Sequence, residues 1–461
     1  MLKRHEHIIR WSTITLAVLF AGFGAITLVR SAFQHTRKTD LTVYLRAAWA
    51  VRTGEDPYTV ADEHGWHYHY PPLVASLLTP LAQPPADSKE TAWVPFPTVV
   101  VFWYLLGVTC VLVSLHCMSK TVGSQGLFRE GKYRFWLNHV PLWVLLPTLG
   151  GSLGRGQINE WVLLLIVAMI ASALIGQRFL AGVCLAGAAC IKLIPIFLIV
   201  YPLWKRDSKW LAGTVTGLIL GLMILPAAMI GPQRTFTAYK QMTNRILHPA
   251  LLDGPAGERD HELLGMTATD NQSIQGTIHN IRHFDRTTRP TIADPTTRVI
   301  HWLIGGLLTI VTVVVGARST LKEPHREALA ISALIVPMLL ISPVCHMHYF
   351  VLLLPLIVAL IGSHLANSQR VRPGLTALLA VNFLTAMFPR LPGCESLRDV
   401  GLMSLGALGL WFAALVELGG EAVQKIRLPG VDYAKEVKRK WAAQHSGHVR
   451  PPQVDHLPGN G

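Results

Sequence analysis

Charge is missing from long stretches of this chain. No Asp, Glu, Lys or Arg occurs within 11–29, 91–119, 135–154, 161–177, 210–233, 299–317, 328–369, 373–389 or 400–416. A helix crossing the ~30 Å hydrocarbon core needs about 20 residues, and 328–369 has room for two. The pattern predicts an all-α polytopic membrane protein. Run 11–29 is longer than the apolar core of a cleavable signal and no A-x-A-like site follows it, so it reads as a retained first span.

The charges that remain sort the connections. Lys3, Arg4 and Arg10, then Lys120, Arg129, Lys132 and Arg134, Lys205, Arg206 and Lys209, Arg318, Lys322 and Arg326, and Arg370 with Arg372 crowd short linkers. After Glu417, seven Lys/Arg stand against four acids. The positive-inside rule assigns all of these, and both termini, to the cytoplasm. One segment resists a simple count. Residues 180–204 have Arg178 before them and Lys205-Arg206 after them, with Lys192 and Pro195 between. Read as a full span, the segment puts later basic loops outside. Read as a re-entrant pair of half-helices, it restores them, and irregular backbone at membrane depth is tolerated against protein or a water-filled cavity. The expected architecture is a bundle of about 10–11 membrane segments, ten full spans and this broken element. An ordinary span with a miscount near 71–84 is the alternative. Residues 1–418 form the membrane unit and 419–461 a basic tail, with an amphipathic helix at 431–442 on the cytoplasmic leaflet and a disordered end.

Composition agrees: 51% of residues are hydrophobic and 15% charged, against about 25% charged in soluble chains, and the mean hydropathy is +0.38. The net charge of +14 is accounted for by topology, so no nucleic-acid partner is expected. Four of the six cysteines lie in apolar runs, where Cys is a small hydrophobe; Cys345 and Cys394 fall on one predicted side, leaving a bridge between them open.

Two outside segments, about 31–91 and 234–297, exceed simple connectors and are expected to be functional. In the first, Asp40, Tyr44, Ala47/Ala48 and Val51 recur at helical spacing, predicting a short helix over 40–53 on the outer surface, stopped by Gly54. A second interfacial helix is expected in LVASLLTPLA after HYHYPP. Asp40 has two readings: an N-cap, or a general base at the membrane surface. Lys192 is an intramembrane cation, near the tip if its segment is re-entrant, and a candidate for pairing with an anion from lipid. Arg155 in GRGQIN marks a helix boundary. His346 and His348 form an HxH without an evident third ligand, so no metal is assigned, although a divalent ion is not excluded. NQS, Asn271 to Ser273, is either a sequon or a helix cap.

Taken in order, Asp40-x3-Tyr44-x2-Ala47, Gly54-x-Asp56-Pro57-Tyr58, Tyr70 to Leu73, Gly156 to Asn159, Ala181 to Pro195, Asn271 to Ser273 and Ser342-Pro343 with His348 resemble the bacterial polyprenyl-phosphate-mannose-dependent mannosyltransferases of glycosyltransferase family 87. The resemblance implies a GT-C fold and inverting transfer of a hexose, mannose foremost, from a polyprenyl-phosphate sugar. The acceptor would be a lipid or glycan at the extracytoplasmic face of the inner or plasma membrane. Asp40 maps onto the family's base. Lys192, Arg155, His348, Tyr44, Tyr70, Gln157, Asn159 and Asn271 are the candidate donor-phosphate and substrate contacts. Where the family commonly shows Trp and a His-His pair, this chain has Cys345, His346, Met347 and His348. A secondary transporter with Lys192 in a broken helix and a non-catalytic envelope-assembly protein are the competing readings.

Overall fold

The computed structural model describes residues 2–34, 39–85, 88–123, 131–247, 270–319, 321, 323–368 and 370–427. The expected tail helix at 431–442 lies outside them. Among the described residues the elements are helical, with isolated bridge pairs and no multi-residue strand.

The first helix, α1 (Leu2–Leu28), leads to α2 (Leu41–Thr53). Then come α3 (Phe96–Val122), α4 (Val140–Gly154), α5 (Asn159–Leu174), α6 (Arg178–Ile191) and α7 (Ser208–Leu218). The second half holds α8 (Ile274–Arg282), α9 (Pro295–Arg318), α10 (Pro324–Ala333), α11 (Ile335–Ile341), α12 (Leu354–Ser368), α13 (Pro373–Met387) and α14 (Leu402–Arg427). Several begin with proline in the first turn, where its missing N–H is no loss. Seven described helical stretches are long and apolar enough to cross a membrane: Glu6–Phe33, Phe96–Val122, Ser208–Ile230, Pro295–Arg318, Pro324–Ile341, Met347–Ser368 and Leu402–Gly420. The shorter α4, α5 and α13 run alongside them. The charge pattern predicts ten full spans, and seven described stretches have the length and apolarity to cross.

Side-chain contacts fix their directions. Ser12 meets Trp143 and Thr27 meets Gly154, so α1 and α4 run parallel. Thr385 meets Gly406 and Leu378 meets Gly409, so α13 and α14 are antiparallel. Of these seven stretches the one through α12 is the best buried, while α1 is peripheral.

The segment 178–207 behaves as a hairpin. Arg178 at its start lies 3.6 Å from Asp207 at its end and 2.7 Å from Glu327 at the foot of α10. Gly182 abuts the backbone of Trp210 and Thr214, Gly213 that of Phe179, and Gly217 that of Val183, so α6 and α7 run parallel from one end of the bundle. The chain between them must therefore return, through a tight helical turn at Ile194–Ile199 and a helix at Val200–Lys205. It reverses at Lys192, whose backbone is extended (φ −145°, ψ 127°). Pro195 follows where a continuing helix would need its N–H.

Two expectations change. The helix over 41–53 is present, and Gly54 ends it in the left-handed region at φ 87°. It is buried along most of its length instead of lying on a surface, because the rest of the first loop, Trp103 of α3 and the Gly156–Gln157 turn pack against it. The second loop helix, Pro72–Leu77, is likewise packed, with Leu77 left exposed. Cys345 and Cys394 are both free thiols.

The α6–α7 contact supplies a stability test. A Cβ on Gly182 would stand 2.1 Å from the Trp210 carbonyl oxygen, while one on Gly22 meets nothing within 4 Å. Gly182→Ala is expected to lower the thermal unfolding midpoint in detergent, at a cost of roughly 1–3 kcal/mol or more from overpacking. Gly22→Ala should leave it unchanged; equal midpoints for the two variants would contradict this packing.

Candidate active site

The turn between α4 and α5 is pressed against the head of α2. Gly156 adopts φ 65°, and a Cβ there would lie 2.9 Å from both Leu41 Cβ and Thr39 Oγ1. Only glycine satisfies both conditions. The approach lets the Asp40 backbone N–H donate to the Arg155 carbonyl at 2.8 Å, and the Thr39 hydroxyl donate to it at 3.1 Å.

Asp40 occupies the N-cap position of α2, but its side chain makes no capping bond. The Leu41 N–H is taken instead by Thr39 Oγ1 at 3.2 Å. The Asp40 carboxylate accepts a hydrogen bond from Gln157 Nε2. The two readings of Asp40 thus separate: it sits where a cap sits, while its oxygens are directed into the site. Burial pushes its carboxyl above the usual range, opposed by Arg155 and then by the Gln157 hydrogen bond. Arg155 is exposed at the end of α4.

The Tyr44 hydroxyl lies 3.4 Å from Gln157 Oε1 and 3.3 Å from the Tyr70 hydroxyl, linking both tyrosines to the amide that holds Asp40. Behind them Tyr44 stacks on Trp103 and Trp103 on Trp161, with ring centroids 5.9 and 5.0 Å apart. Two residues beyond Gln157, Asn159 opens α5 and is fully buried. Its Oδ1 accepts from Lys192 Nζ at 2.9 Å, and its Nδ2 donates to the His348 carbonyl at 3.3 Å. The Lys192 ammonium also lies 3.4 Å from the centroid of the Tyr349 ring, a cation–π arrangement. The hairpin therefore delivers Lys192 to the end of the bundle that carries Asp40.

His348 is buried, its imidazole stacked 5.4 Å from that of His346. Asn271 belongs to the same neighbourhood, but its amide is spent on backbone. Oδ1 accepts from Ser273 N at 3.1 Å and Cys345 N at 3.0 Å, and Nδ2 donates to the Pro343 carbonyl at 3.0 Å. Asn271 clamps the second loop to the 343–346 turn. Ser273 caps α8 by accepting from Gly276 N at 2.9 Å, one of the two roles its motif allowed.

The sequence reading did not single out Asp270. Its carboxylate lies 3.3 Å from His346 Nδ1. Burial alone would raise it, but His346 and then Arg155 outweigh that and hold it well below the usual carboxylate range. Nor did it single out Tyr349, or Arg390, whose guanidinium packs beside Gly151 near the head of α4. Arg390 reads in the sequence as one more charge bounding an apolar run. The ionisable groups gather at one end of the bundle, away from the Arg178–Asp207–Glu327 cluster at the other.

This geometry brings two carboxylates, two histidines, a buried lysine and two arginines within one polar cluster. The chain is 24% identical over 369 residues to the polyprenol-phosphate-mannose-dependent alpha-(1-2)-phosphatidylinositol mannoside mannosyltransferase of Mycobacterium tuberculosis, covering 75% of each chain. Crystal structures of ArnT from Cupriavidus metallidurans, with undecaprenyl phosphate and in the apo state, align over 89% of this chain and 78% of theirs. Their identities are 14% and 15% and their TM-scores 0.36 and 0.38. The model of glycosyltransferase family 87 matches residues 68–343, more than half of the sequence, and the chain belongs to that family.

Proposed function

We propose that this glycosyltransferase moves a hexose, mannose foremost, from a polyprenyl-phosphate sugar to a glycolipid or glycan acceptor, with inversion, at the extracytoplasmic face of a cell membrane. The observation that carries the reading is the Asp40 carboxylate, relieved of capping by Thr39 and held by Gln157 beside a cluster of cations. The donor class rests on the name of the Mycobacterium relative. The orientation rests on charge: the end opposite the site carries Lys205, Arg206, Lys209, Arg318, Arg326, Arg370 and Arg372, which the positive-inside rule keeps in the cytoplasm.

In this mechanism Asp40 accepts the proton of an acceptor hydroxyl as that oxygen forms its bond to the anomeric carbon. The bond to the phosphate oxygen breaks on the opposite face, and polyprenyl phosphate leaves with the electron pair. An elevated carboxyl pKa strengthens the ionised form of Asp40 as a base. Lys192, Arg155 and the histidine pair supply the positive and hydrogen-bonding groups that the leaving phosphate needs. Asn159 orients Lys192, and Tyr44 and Tyr70 hold the Gln157 amide. Asn271 acts through the loop that it clamps.

Purified protein in liposomes, given labelled polyprenyl-phosphate mannose and a membrane glycolipid extract, is expected to form labelled product. Asp40→Asn should reduce turnover by about 10²–10⁴-fold, the usual worth of a general base, with expression and thermal midpoint retained. Turnover within twofold of wild type would remove Asp40 from the reaction. Lys192→Met should raise the KM for the lipid-phosphate donor by roughly tenfold or more, from loss of a charge-assisted contact of about 1.5–3 kcal/mol; an unchanged donor KM would assign Lys192 to structure alone.

The base must be ionised, so kcat/KM should fall as pH drops through the Asp40 pKa, with a midpoint above the ~3.9 of a free aspartate. The Gln157 hydrogen bond favours the charged form. Gln157→Leu is therefore expected to move the midpoint further up. A midpoint that stays fixed or moves down would contradict that role for Gln157.

A further inference from the structure

Away from Asp40, the second outer loop carries a cluster that the transfer mechanism does not use. His279 and His283 stand one helical turn apart at the end of α8, and Asp294 precedes α9. One potential ligand atom from each lies within 4.8 Å of the other two. We propose that His279 Nδ1, His283 and Asp294 form a divalent transition-metal site, with zinc the best-matched ion, that staples the second outer loop to the head of α9.

The hydrogen bonding of His279 makes the case. Its Nε2 lies 2.9 Å from the Pro290 carbonyl oxygen, which can only accept, so that nitrogen carries the proton. Nδ1 is then the lone-pair nitrogen. It is buried in a fully buried residue and has no hydrogen-bond partner. A metal-ligating histidine characteristically donates its other N–H to a carbonyl or carboxylate, which fixes tautomer and ring orientation.

Two imidazoles and one carboxylate suit zinc better than the oxygen-seeking Ca²⁺ or Mg²⁺. With Zn–N near 2.0–2.1 Å, tetrahedral ligand atoms stand roughly 3.3 Å apart, so atoms now within 4.8 Å of one another need to close by up to about 1.5 Å. His283 and Asp294 are only partly buried, which leaves a route in and a fourth position for water. The Asp294 carboxylate is held by Arg282 Nη1 at 2.9 and 2.8 Å, by Thr297 N at 3.1 Å and by Thr297 Oγ1 at 2.7 Å. Those bonds fill its acceptor sites, so the ion must displace one of them. Arg282, with its side chain 44% exposed, is the partner that can swing into water.

Tag-free full-length protein in detergent should be stripped with EDTA, reloaded with ZnCl₂ and gel-filtered before zinc is counted by mass spectrometry. The expected result is about one zinc per chain and a zinc-dependent rise in the unfolding midpoint, both lost in His283→Ala. His346→Ala, which alters the histidine pair at the transfer site, should keep the ion. Wild-type protein that retains no zinc would overturn the proposal. So would equal zinc in His283→Ala, or loss of zinc in His346→Ala.

Discussion

The contact on which the site depends is the one between the Gly156 turn and the head of α2. Helix N-termini present unpaired N–H groups, and an aspartate placed there ordinarily turns its carboxylate back to satisfy one. Here Thr39 performs that task and the Arg155 carbonyl takes the Asp40 N–H. The Asp40 carboxylate is released, and it is caught by the residue that follows Gly156. A side chain at 156 would push the turn away and separate Gln157 from Asp40. The GQIN stretch then divides into parts: glycine for the approach, glutamine for the carboxylate, and asparagine for the lysine opposite.

The α6 hairpin answers a second constraint. A lysine amid apolar segments is costly to bury without partners. The chain meets that cost by ending a helix at Lys192, returning at once, and setting the ammonium against Asn159 Oδ1 and the face of Tyr349. Gly182, Gly213 and Gly217 let α6 and α7 lie backbone to backbone, so the hairpin is held at a defined depth. A continuous span through 180–204 would not reverse at Lys192, and the Arg178–Asp207 contact at its base could not form.

Much of this is legible in the sequence, and the limits are physical. Charge-free runs and basic linkers carry the membrane-spanning helices and the reversal at 180–204, because lipid imposes those patterns on every segment separately. Asp40 and Lys192 stand out as ionisable groups at predicted boundaries. What stays hidden depends on segments far apart in the chain. The periodicity of 40–53 suits a surface helix, and its burial follows only from the loops that close over it. Asn271 reads as a polar candidate until its three backbone partners are seen. Asp270 carries no signal of its own in the sequence, and His346 gains its carboxylate only when the Asn271 stretch beside it pairs with the 343–346 turn.

The central claim is a single displacement in which Asp40 serves as base and no covalent sugar–enzyme intermediate forms. The anomeric configuration of the product tests it most directly. NMR of the disaccharide linkage made from a donor of known anomeric configuration should show that configuration inverted. A product that retains it would contradict the account, since retention requires two displacements or attack from the face that the leaving phosphate occupies.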